Sequence, residues 1–121
     1  MKTSDLAKRL TKMVTVWPGV EIRRSKFSPA TAFFVGAREF AHFHGPHEID
    51  IRVTRAVQRE HKTLLEFDER VGFRERASEW VTFSFFDAAD LQRATALLRL
   101  AGKPRRLKNT LTVRRFRTML P

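Results

Sequence analysis

Glu79-Trp80-Val81-Thr82-Phe83-Ser84-Phe85-Phe86-Asp87-Ala88-Ala89-Asp90-Leu91 is the stretch on which the fold turns. Val81, Phe83 and Phe85 alternate with more polar neighbours, so they share one face of a strand. At Asp87 the apolar period changes from two to that of a helix. Leu91, Ala94, Leu98 and Ala101 form a stripe, Gly102 ends it and Pro104 follows. Asp87, three residues before Asp90, suits the N-cap. A strand with one apolar face that runs into an amphipathic helix predicts a helix packed on a sheet.

Working outward, the same two periods recur. Leu6, Leu10, Met13, Val14 and Trp17 mark a first helix over residues 4–14, capped by Thr3 or Ser4. Pro18-Gly19 breaks it. Val20 to Arg23, residues 30–35 and residues 38–44 read as strands, with Gly36-Ala37 as a hairpin turn. After Gly45-Pro46, Ile49, Ile51 and Val53 alternate with Asp50 and Arg52. Thr54 is a plausible N-cap for a helix over 55–66 that turns Val57, His61, Leu64 and Leu65 inward. Gly72-Phe73-Arg74 is a weaker strand. The order α-β-β-β-β-α-β-β-α predicts an α+β fold: an antiparallel sheet of five to six strands with helices packed on it. Residues 1–102 make one domain in this reading, and residues 103–121 a basic C-terminal extension.

The chain has 121 residues and a formal net charge of +11. One core is expected at this length, and eleven Phe and two Trp supply it. The charge is uneven: residues 1–37 carry +5, residues 38–102 carry −1 and residues 103–121 carry +7. Arg105, Arg106, Lys108, Arg114, Arg115 and Arg117 are therefore candidate contacts for nucleic acid or another polyanion. With no Cys, disulfides, thiolate metal sites and cysteine nucleophiles are excluded, and a cytoplasmic location is expected. No apolar run reaches the roughly 18–20 residues of a membrane span. Phosphate-binding loops, dinucleotide fingerprints, nucleophile elbows and zinc-protease motifs are absent from the sequence.

Three of the four His fall in Glu39-Phe40-Ala41-His42-Phe43-His44-Gly45-Pro46-His47. On a strand, His42 and His44 point to one face. Two imidazoles so placed can begin a metal site, with His47, Glu48 or Asp50 completing it. They can equally serve as acid and base, or simply form a polar strand face. Glu39 belongs to the opposite face unless the strand is bulged.

Trp17-Pro18-Gly19-Val20, the 39–45 segment and Ile49-Asp50-Ile51 resemble the luciferase-domain family, a small domain named after its occurrence in fungal luciferase. Glu79-Trp80-Val81-Thr82-Phe83, Asp90-Leu91 and Leu97-Leu98-Arg99-Leu100-Ala101 resemble its closing strand and helix. Where members of that family often carry a His, this chain reads Arg74-Glu75-Arg76-Ala77-Ser78. The resemblance implies an α+β domain with a pocket near Glu39, His42 and His44, which become candidate catalytic residues. It also implies oxidoreductase-type chemistry on a small molecule. It does not carry light emission with it, and it names no cofactor.

Three functions follow as expectations. The chain binds a small molecule at the His42/His44 face, with or without catalysis. Alternatively, it is an adaptor that holds a polyanion through its basic ends. Or it is an interaction module that forms a homodimer, since the element order is also similar to that of secretion-chaperone-like domains.

Overall fold

The computed structural model describes residues 4–102. Helix α1 (Asp5–Thr15) leads into strands β1 (Val20–Arg24), β2 (Thr31–Val35), β3 (Arg38–Phe43) and β4 (Glu48–Arg52). Two short helices, α2 (Arg55–Glu60) and α3 (Lys62–Phe67), precede β5 (Val71–Phe73) and β6 (Trp80–Ser84), and α4 (Ala88–Gly102) closes the domain. The six strands form one antiparallel sheet in the order β1-β2-β3-β4-β6-β5. The α+β architecture is the one the alternating periods predict, and the basic extension lies outside the described residues.

Helices α1 and α4 pack on each other and on the same side of the sheet, against β1, β3 and β4. Between them and the strands lies a core that includes Leu10, Val14, Phe33, Phe40, Ile49, Ile51, Phe83, Phe85, Leu91 and Leu98. Each such side chain stabilises the fold by about 1.5–3 kcal/mol relative to exposure. Ser4 caps α1 by accepting from Ala7 N. Val81, Phe83 and Phe85 all point into the core, so the decisive strand packs as its pattern requires. Among the described residues, no helix packs on the opposite face of the sheet, where the polar residues of the alternating strands emerge.

Two expectations need correction. The single helix over 55–66 is broken at His61, which caps α2 and starts α3 with φ −112° and ψ 26°. The break resets the helical phase, so Leu65 is buried while Leu64 is 73% exposed. His61 does not face the core either. Its ring is partly exposed beside Glu60.

The β6–α4 junction is held by Asp87 and Asp90. Asp90 N donates to Asp87 Oδ1 at 2.9 Å, and the Asp90 carboxylate accepts from Phe86 N at 2.8 Å. The buried Asp90 also takes Arg70 and Arg93. Asp90→Ala strips an acceptor from a backbone N–H and a partner from two guanidinium groups, so it should cost about 2 kcal/mol. Asp87→Ala loses one cap bond and should cost about 1 kcal/mol. Urea denaturation of both variants checks the order.

Candidate functional site

The site lies on the sheet face that the helices leave open. Ala32, His42, Asp50, Thr82 and Gly72 are register partners in one row across β2, β3, β4, β6 and β5. Its members point the same way, so Asp50 and Thr82 stand beside His42 although they are distant in sequence. Ile49 and Ile51 flank Asp50 and anchor the strand in the core.

Glu39 reaches the same face through a bulge. Phe33 pairs with Ala41 and Phe34 with Glu39, leaving Phe40 as an extra residue in β3. Phe40 and Ala41 both enter the core, and the strand's phase shifts by one. Glu39 and His42, three apart, therefore share a face that a regular strand would deny them. The condition under which Glu39 joins the site is met.

His42 is 7% exposed, and Glu39 and Asp50 are 2% exposed each. His42 Nδ1 lies 3.0 Å from Glu39 Oε2, and Nε2 lies 3.1 Å from Asp50 Oδ2. A ring with a carboxylate at each nitrogen satisfies both only as an imidazolium. Burial opposes that charge, yet the hydrogen bonds and charges of Asp50 and Glu39 outweigh it and raise the His42 pKa above 6.5. Burial likewise opposes ionised Asp50. The hydrogen bonds from His42 and Thr82, with the charge of Arg74, outweigh this and lower its pKa to about 2.

The remaining oxygens are satisfied as well. Glu39 accepts from Ser25 Oγ at 2.5 Å and from Lys26 N at 2.6 Å. Ser25 Oγ in turn accepts from Phe27 N and Ser28 N. Thr82 Oγ1 donates to Asp50 Oδ1 at 2.7 Å. Arg74 Nη2 lies 3.3 Å from Asp50 Oδ2, and His44 Nδ1 lies 3.4 Å from the same oxygen. The His44 side chain is 63% exposed.

Aromatic rings complete the site. Trp80 lies 4.8 Å from the His42 ring, and Phe27 meets Trp80 edge-on at 5.4 Å. The Arg52 guanidinium stands 5.9 Å over Trp80 and pairs with Glu79. Imidazolium, indole and phenyl thus form a polar-aromatic wall beside an accessible imidazole.

The structure brings together Glu39, His42 and His44. His47 instead stacks on Phe86 at 5.5 Å. Among the described residues, no three His, Asp or Glu side chains are grouped to hold a metal ion. Arg105, Arg106, Lys108, Arg114, Arg115 and Arg117 lie outside the described residues. Among the described residues, no helix is long and apolar enough to cross a membrane. Ser25, Phe27 and Thr82 were not legible as site residues. Asp50 had a signal, a lone carboxylate between two Ile on a central strand.

Comparison with known families matches residues 37–101 to the Luciferase domain. No curated protein and no solved structure matches the chain. The matched residues contain Glu39, His42, His44, Asp50, Arg74, Trp80 and Thr82, so most of this site lies within the shared domain, with Ser25 and Phe27 outside it. With more than half of its length matched, the chain belongs to the luciferase-domain family.

Proposed function

We propose that the open sheet face binds a planar enolic or phenolic small molecule, and that His44 exchanges a proton with it. The observation that carries this reading is the placement of His44. It shares Asp50 with the buried His42, yet most of its own side chain is open to solvent. His42 cannot be the base, because both of its nitrogens already face carboxylates. It is better suited to fixing the two carboxylates and presenting a positive ring. Asp50 Oδ2 stands 3.4 Å from His44 Nδ1, which leaves Nε2 as the atom for a ligand's hydroxyl. An exposed imidazole beside a carboxylate can give or take a proton from a bound hydroxyl. Trp80 and Phe27 offer a planar ligand the aromatic contacts it needs. Titratable groups with shifted pKa values, here His42 and Asp50 beneath the exposed His44, are a recurrent mark of functional sites.

Binding can be read from Trp80 emission in a Trp17→Phe background, with 4-hydroxycoumarin as the probe. Saturable quenching is expected. His44→Ala should weaken it about tenfold, the loss of one strong hydrogen bond, while stability stays within about 0.5 kcal/mol. Equal affinity in wild type and variant would remove His44 from the reading. His42→Ala should behave differently: it strands two buried carboxylates and should cost about 3–5 kcal/mol.

The arrangement also predicts how stability depends on pH. His42 binds its proton more tightly folded than unfolded, so its contribution is complete below 6.5 and drains as the pH rises through the raised folded value. Asp50 works in the other sense. Its contribution is complete above 3.8 and is lost as the pH falls towards about 2. The pair should therefore stabilise most between these limits. Urea midpoints from acid to alkaline pH should show both limbs. His42→Gln should flatten the alkaline limb, and Asp50→Asn should reduce the acid one, which Asp90 shares through its own lowered pKa.

A further inference from the structure

A concavity of about 850 Å³ lies between α1 and the segments 28–31 and 43–46. Its size is that of a small-molecule site. Ala7, Pro29, Phe43 and Pro46 give it an apolar lining, and Lys8 and Lys12 stand one helical turn apart on its α1 wall. No Asp or Glu lines it. Neither lysine is in a salt bridge among the described residues, whereas Arg23, Arg52, Arg70, Arg74 and Arg93 all are. The walls are tied together, because Ser4 Oγ donates to Pro46 O at 2.6 Å and pins the start of α1 to the β3–β4 turn. The cleft borders the site described above through His44 and through Ser28 of the 25–30 turn.

We infer that this cleft binds an amphipathic carboxylate, its acid group between Lys8 and Lys12 and its apolar body against Ala7, Pro29 and Phe43. Charge complementarity selects the class of ligand. Two lysines with no salt bridge among the described residues, on a carboxylate-free and mainly apolar wall, favour an anion with a hydrocarbon body over either a bare anion or a neutral hydrocarbon. Lys stems add apolar cover while their heads stay in water, so Lys8 and Lys12 can flank the chain of such a ligand without burying its charge. This site stands independently of the planar ligand proposed for the open face.

The test is an amide NMR titration of the full chain with decanoate, with decanol and inorganic phosphate as controls. Decanoate should saturably shift Ala7, Thr11, Ala30 and Gly45. Decanol should bind about tenfold more weakly, and phosphate should leave these amides in place. Lys8→Gln/Lys12→Gln should weaken decanoate about tenfold, the size of two exposed charge contacts, and leave decanol unchanged. Both lysines are exposed, so the variant should keep its fold, and its amide spectrum checks this directly. Trp80→Phe, which alters the aromatic wall of the open face and does not line the cleft, should retain decanoate, and this separates the two sites. Equal binding of decanoate and decanol, an unaffected lysine variant, or no saturable shift would each overturn the inference.

Discussion

Everything on the open face depends on one ion triad, Glu39–His42–Asp50. Each carboxylate is almost fully withdrawn from water, and withdrawing charge is expensive unless partners replace the lost hydration. Here the imidazolium touches both, and the remaining oxygens receive Ser25, Lys26 N, Thr82 and Arg74. Neutral replacements of similar size would pack at no such cost. A domain that keeps this arrangement retains a positive ring at a fixed place on its surface, flanked by Trp80.

The triad exists because β3 is bulged and the helices sit on one side. The extra residue Phe40 lets two consecutive apolar side chains, Phe40 and Ala41, enter the core, and it turns Glu39 back towards His42. Gly102, at the end of α4, lies so close to Phe40 that a Cβ there would stand 3.2 Å from the ring. Helix α4 thus comes close against the bulge from the core side while the charges emerge on the other. Arg38 donates to Ala101 O at 2.7 Å and fastens the same two elements. A local irregularity is therefore supported by the tertiary packing around it.

Much of this was legible in the sequence. The alternation in residues 81–85 and 49–53 and the stripe from Leu91 to Ala101 specify one-sided burial, and hence a layered fold. His42 and His44 share a face because the side-chain period of a strand is two. Glu39 required the bulge, and no local pattern announces one: Phe40 and Ala41 are both apolar, and only their joint burial breaks the alternation. Asp50, Thr82 and Trp80 enter through register, which depends on β4 pairing with β6 across an excursion of two helices and a strand. The failure at 55–66 has a different origin. Its apolar spacing fits one helix, but His61 takes a non-helical conformation, and beyond that break Leu65 turns inward while Leu64 faces solvent.

The triad also couples the site to the segment that overhangs it. Glu39 holds Ser25 and Lys26 N, and Ser25 holds the backbone of Phe27 and Ser28. The 25–30 turn is thus tied to the carboxylate that fixes His42, and Phe27 reaches Trp80 from that turn. Loss of the proton on His42 would leave two buried carboxylates facing an uncharged ring and weaken the bond that helps orient Glu39. Since Glu39 is shared, the turn would lose part of its anchor in the same event. Ring, carboxylates and turn form one cooperative polar network, so the shape of the aromatic wall and the charge beneath it cannot vary independently.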